Sequence, residues 1–326
     1  ARARSPEGFA SACTSGGGAV LLALNAAGGE VVRFDRDVSA GETRMTRWKV
    51  PGGERAGCIV PRAKGGVLLG LAGGGIVSAA LPEGGGEAVL DEVQVCDVLG
   101  DVSGQDPEKL QAAKVRRAGL ELCAARADSA GRLWVGSRPR CDPGASAGGA
   151  ELFCVEGAWR MRQGELTPTA VSNVVHEVGN DLLCDHGVAW SPCGATMYFV
   201  DAASAEVCAF PHDARTGVLG ERRVVARVTG EGEAPRGLAV DVNGGIWTAV
   251  HGGSRVVCLD AESGEVRKEV TLPAKRPTGV CFGGEGMAWL FVTTEKASGG
   301  DDDAGGAMLA LEVGAVGTAV NACQLG

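Results

Sequence analysis

No apolar run in this chain approaches the ~20 residues that a helical membrane span needs, which argues against that class of protein. No large basic patch is present either. The densest cluster, Lys114, Arg116, Arg117 and Arg126, is short, and the net charge is −9. A phosphate-binding surface concentrates Lys and Arg, so nucleic acid is not an expected partner. The 12 cysteines contain no CxxC pair and no regular framework. Those at strand-like positions, Cys208, Cys258 and Cys281, read as small buried hydrophobes rather than disulfides or ligands. Ala1-Arg2-Ala3-Arg4-Ser5-Pro6 lacks signal-peptide character. The default compartment is the cytoplasm, although a removed leader or transit peptide would leave no trace. Charge is scarce at 22% against 45% hydrophobic residues, which argues for a buried core rather than disorder.

Glycine is abundant, with 53 residues, and it falls in a pattern. His186-Gly187-Val188-Ala189-Trp190-Ser191 recurs as Arg236-Gly237-Leu238-Ala239-Val240-Asp241 and again as Thr278-Gly279-Val280-Cys281-Phe282-Gly283. Each copy runs into a Gly-bearing turn and then a second apolar run with an aromatic. The second runs are Met197 to Val200, Ile246 to Val250 and Ala288 to Val292. The copies lie 50 and 42 residues apart. A period of ~40–50 residues accommodates the four short strands of one propeller blade. The whole chain of 326 residues then holds six or seven blades in a single domain, 1–326.

Fainter copies appear upstream. Gly57-Cys58-Ile59-Val60 resembles the opening of the unit, and Leu122 to Asp128 resumes it before the turn Ser129-Ala130-Gly131. Residues 89–120 break the rhythm and read as an insertion. Within them Pro107 to Val115 is helix-prone, with Asp106 as its N-cap. The Gly-, Pro- and Ser-rich loop 138–149 is long enough to act as a lid. Ala307 to Val313 is the last strand, and closing the ring calls for it to pair with the first.

These motifs resemble the senescence-marker-protein/gluconolactonase family, which includes regucalcin and bacterial lactonases. Gly187-Val188-Ala189-Trp190-Ser191-Pro192-Cys193-Gly194 is similar to NGLAWSPDG. Phe210-Pro211-His212-Asp213-Ala214-Arg215-Thr216-Gly217 is similar to FDYDxxTG. Pro235 to Asp241 resembles PDGLAVD, Arg276 to Gly284 resembles RPTSxxFGG, and Asp128 to Gly136 resembles DPxGRLWxGT. The resemblance covers most of 20–315. It implies an all-β fold, a six-bladed β-propeller with a central channel. It also implies a site at the top of that channel, where calcium or zinc held by a Glu, an Asn and an Asp polarises a lactone carbonyl.

The residues at those positions differ here. The Asn is His186, the Asp is Arg236, and a substrate-holding Asn falls on Cys123 with Glu121 nearby. The N-terminal Glu maps weakly to Glu7. Glu7 and His186 are the metal-ligand candidates, with zinc held by His186, Cys123 and a carboxylate as an alternative, and a guanidinium at a carboxylate position repels a divalent cation. His186, Arg236 and Cys123 are the catalytic candidates. His186 can act as an acid or base. Arg236 can hold an anion in bidentate fashion. Cys123 is a nucleophile candidate, against the plainer reading of a small residue filling the channel. Glu121, Asp185, Asp201 and His251 are the substrate-binding candidates. Asp201 and His251 end the second strands of successive units and so share one face. Three functions follow. One is a lactonase-type hydrolase acting on a small, anionic, oxygenated molecule, with altered metal use. The second is a catalytically silent propeller that binds a ligand or a protein partner. The third is metal-free chemistry centred on His186, Arg236 and Cys123.

Overall fold

The structure, a computed structural model, describes residues 2–4, 11–15, 20–25, 29–37, 42–50, 52, 54–98, 119–139, 151–155, 159–162, 165–168, 187–201, 204–296 and 305–325. It is nearly all strand. After β1 (Arg2–Arg4), the first sheet is the meander β2 (Ser11–Ser15), β3 (Val20–Asn25), β4 (Glu30–Asp37) and β5 (Glu42–Lys49). The second is β6 (Ala56–Pro61), β7 (Val67–Leu71) and β8 (Gly75–Ala80). The short β9 (Gly86–Glu87) returns to pair parallel with β5, and β10 (Val89–Asp97) completes the second sheet. The third is β11 (Leu120–Ala127), β12 (Leu133–Pro139) and β13 (Leu152–Val155), followed by a hairpin of β14 (Trp159–Arg162) and β15 (Glu165–Pro168). The fourth is β16 (Val188–Trp190), β17 (Thr196–Asp201), β18 (Glu206–Pro211) and β19 (Arg223–Arg227). The fifth is β20 (Ala234–Val240), β21 (Ile246–His251), β22 (Arg255–Leu259) and β23 (Val266–Thr271). The sixth is β24 (Pro277–Gly283), β25 (Trp289–Thr294) and β26 (Ala307–Glu312), with β1 as its outer strand.

The inner strands touch in the cyclic order β2, β6, β11, β16, β20, β24 and back to β2. This is a β-propeller, and its six larger sheets fit the blades expected. Apolar layers fill the gaps between neighbouring sheets. Trp247, Val256, Phe282 and Leu290 pack between the fifth and sixth, and Leu21, Phe34, Cys281 and Phe291 between the sixth and first. Pairing of Arg2 with Leu309 and of Arg4 with Ala307 closes the ring through its two most distant strands.

Residues 89–97 belong to the second sheet. They pair antiparallel with the free edge of β8. The expected insertion over 89–120 therefore begins later. Its helix-prone stretch, 107–115, and most of the expected lid, 138–149, lie outside the described residues, while Arg138 and Pro139 end β12.

The glycine that opens each repeat sits where inner strands converge. A Cβ on Gly187 would fall 2.9 Å from the Leu238 backbone nitrogen, and one on Gly237 2.6 Å from the Gly279 Cα. Gly237 also has φ 68°, which any side chain resists.

The turns after the inner strands share a second device. Asp128 Oδ1 accepts hydrogen bonds from the backbone N–H of Ala130 and Arg132, and Oδ2 from Trp134 Nε1 at 3.0 Å. Asp241 does the same with Asn243, Gly245 and Trp247 Nε1. Each Asp satisfies the turn and anchors a buried Trp of the next strand. Asp128 also takes Arg132 Nε at 2.6 Å. Its burial pushes the pKa up, but bonds from His212, Trp134 and Arg132 outweigh that and hold it at about 2.

The C-terminal segment then crosses this lower end of the ring. Gly317 bridges Asp241, Thr318 N–H donates to Val240 O, and Asn321 Nδ2 to Ala127 O. Cys323 exchanges backbone bonds with Pro61 and Ala63. Cys208, Cys258 and Cys281 are buried and unbridged, and burial pushes their thiols up to about 11, 11 and 12. That matches the small-hydrophobe reading.

Candidate functional site

Inner strands begin at the upper end of the ring, opposite the Asp-anchored turns. Arg236 stands there on β20. The pairing of β20 with β21 slips between Arg236 and Leu238. Such a bulge re-aims the side chains beside it. Thr248, fully buried below, donates from Oγ1 to Gly237 O at 2.8 Å and holds the irregular backbone in place.

Around Arg236 the structure assembles a charged group from the fifth and sixth sheets. His251 ends β21, opposite Ala234. Its Nε2 lies 3.3 Å from Glu295 Oε2. Arg276 Nη1 lies 3.5 Å from Glu295 Oε1, and the Glu295 N–H donates to Arg276 O. The hydrogen bond from His251 lowers the pKa of Glu295. Partial burial opposes this, and the charges of His251, Arg236 and Arg276 add to the lowering. Two permanent guanidinium charges face one carboxylate in this group. Guanidinium donors of this kind can hold an anion in bidentate fashion. The His251–Glu295 pair also has the form of a base oriented by a carboxylate.

The other candidates fall as follows. Cys123 is buried at the matching slip of β11, between Leu122 and Ala124, and lines a cavity of about 40 Å³ in the channel with Gly187, Gly237 and Arg126. Glu121 is buried and takes Arg138 Nε at 2.7 Å from the neighbouring strand. Asp201 is buried and accepts from Ser204 Oγ at 2.6 Å and Arg222 Nη2 at 3.3 Å. Both carboxylates thus have cationic partners in their own sheets. Glu7, Asp185 and His186 lie outside the described residues.

Arg276 and Glu295 were absent from the sequence candidates. Glu295 lies just past the second strand of its unit, as His251 ends the second strand of the unit before. Carrying the His251 argument one blade further would have found it.

A divalent cation implied by the resemblance would need an oxygen donor at Arg236. The guanidinium has no lone pair to give and already adds its charge to the field on Glu295. The residue present does not fit that ligand role.

The fold defines a β-propeller whose upper end gathers Arg236, His251, Arg276 and Glu295. A family profile described as SMP-30/Gluconolactonase/LRE-like region matches residues 11–296, and the chain belongs to this family. Regucalcin of Bos taurus is 34% identical over 135 residues, 41% of this chain and 45% of that protein. An uncharacterized protein of Sulfolobus acidocaldarius is 30% identical over 169 residues, 52% of this chain and 55% of that one. The chain spans about half the length of the curated relatives it matches. Among solved structures, a luciferin-regenerating enzyme superposes with a TM-score of 0.73 at 18% identity, covering 99% of this chain and 96% of that one. A calcium-binding regucalcin from Agrobacterium tumefaciens gives 0.71 at 20% identity, covering 99% and 95%. A gluconolactonase from Xanthomonas campestris gives 0.61 at 16% identity, covering 94% and 86%. These three likenesses speak to the fold.

Proposed function

We propose that the chain is a lactonase-type hydrolase acting at the upper mouth on a small, negatively charged, oxygenated molecule. The observation that carries this reading is the Arg236, His251, Arg276 and Glu295 group. In it Arg236 donates N–H bonds to the lactone carbonyl oxygen and to the oxyanion that forms there. His251, oriented by Glu295, takes a proton from the attacking water. The C–O bond of the ring then breaks, and the imidazolium returns the proton to the leaving oxygen. Lactone and water become a hydroxy-carboxylic acid, whose new charge the two arginines accommodate. Family relatives include a calcium-binding regucalcin, but the guanidinium at the ligand position supports a route without a metal.

The test is turnover of a panel of anionic and neutral lactones by the purified protein, with and without a chelator. Chelator-insensitive hydrolysis, lost in Arg236→Met and His251→Gln, is the expected result. Activity that survives His251→Gln but not His186→Gln moves the base to His186. Tight binding of hydroxy-carboxylates with no turnover of any lactone leaves a binding propeller. Hydrolysis abolished by chelator returns the site to a metal mechanism.

A further inference from the structure

We infer that the lower end of the channel is a second small-molecule site, one that takes a carboxylate with a compact apolar body. A cavity of about 250 Å³ lies there, against about 40 Å³ for the cavity above it. It opens at the end opposite the mouth, where the Asp-anchored turns and the C-terminal segment meet.

Arg126 sets its chemistry. This half-buried guanidinium, two residues before Asp128, lines both cavities. Nη2 reaches across the axis to Leu238 O at 3.2 Å. Among the described residues no carboxylate pairs with it, whereas Arg132, Arg138, Arg222 and Arg255 each have one. A guanidinium carries five N–H donors, and a single carbonyl leaves most of them for another partner.

Trp190 lines the same cavity and is 9% exposed, and its ring supplies apolar wall, since its buried Nε1 presents no surface there. The free guanidinium donors of Arg126 call for oxygen acceptors, and a carboxylate supplies two.

The remaining walls fix the body of the ligand. Phe282, Val240 and Val320 present apolar surface. The C-terminal segment, pinned by Thr318 and Asn321, closes one side. Cys193 lies on the rim, exposed, and the Ser191 hydroxyl at 3.4 Å draws its thiol below the ordinary range. That makes it a built-in reporter of occupancy.

The experiment is iodoacetamide labelling of the intact protein, read at Cys193 by mass spectrometry. The ligands are benzoate, butyrate and cyclohexanecarboxylate, with benzyl alcohol as the uncharged control. At least one carboxylate is expected to slow labelling several-fold while the alcohol does not. Arg126→Met should abolish the protection and Arg236→Met should leave it intact. Failure of all three carboxylates to protect overturns the site. So does equal protection by the alcohol, or loss of protection in Arg236→Met. The comparison of carboxylates with alcohol uses the unmodified chain and holds whether or not Arg126→Met folds.

Discussion

The two ends of the ring put the same repeat to opposite uses. At the lower end Asp128 and Asp241 anchor identical turns and identical tryptophans, and Ser191 does a reduced version of the job. Five residues upstream of these anchors stand Cys123, Arg236 and His186, three unlike side chains. The lower positions answer to local geometry, which the third and fifth sheets share. Under the proposed function, the upper positions answer to the ligand, and an asymmetric ligand needs a different group from each blade. The difference teaches where to look in such a chain: a departure from the repeat at its upper positions marks chemistry, and agreement at its lower positions marks folding.

Breaking the lower end should cost the most. Asp128→Ala removes four hydrogen bonds and strands Arg132 in the interior. A loss of about 4 kcal/mol in urea unfolding is expected, with turnover per folded molecule unchanged. Gly237→Ala tests the convergence of the strands. Its positive φ and the 2.6 Å approach to Gly279 should cost about 3 kcal/mol, measured in the same way. Because Gly237 adjoins Arg236, this variant should also lower turnover, unlike Asp128→Ala.

Acid sharpens the comparison further. The folded pKa of Asp128, about 2, lies below its ordinary value of 3.8, so its carboxylate stabilises the fold above pH 4. That contribution, on the order of 2 kcal/mol, should fade as the pH falls from about 4 to about 2. Unfolding measured over that range in Asp128→Asn should lack this part of the acid limb. The smallest stability effect belongs to the mouth. Glu295→Gln breaks a half-exposed ion pair and should change stability by under about 1 kcal/mol. It also removes a negative charge from the group and the support of His251. Steady-state kinetics on an anionic lactone should then show a lower kcat together with a lower KM.

Much of the lower end could be read from the chain. The Asp-x-x-Gly turns and the recurring glycines depend on contacts near in sequence or repeated at a fixed period. The mouth was legible only in part. Arg236 and His251 stood out because each occupies a marked place in the repeat. Glu295 did not, because its partner His251 lies 44 residues away and meets it only when the fifth and sixth sheets pack side by side. The strand at 89–97 was missed for a related reason. Its pairing with β8 slips twice, and a bulged edge strand blurs the alternation that announces a strand.

Closure of the ring by β1 and β26 sets a schedule for the newborn chain. Residues 2–4 leave the ribosome well before their partners at 307–309. Until then the sixth sheet exposes an unpaired edge, and the apolar layer shared by the first and sixth sheets stays open. Pairings this distant form slowly. Synthesis therefore passes through an open arc of blades, whose exposed edge and apolar layer invite aggregation until these strands meet.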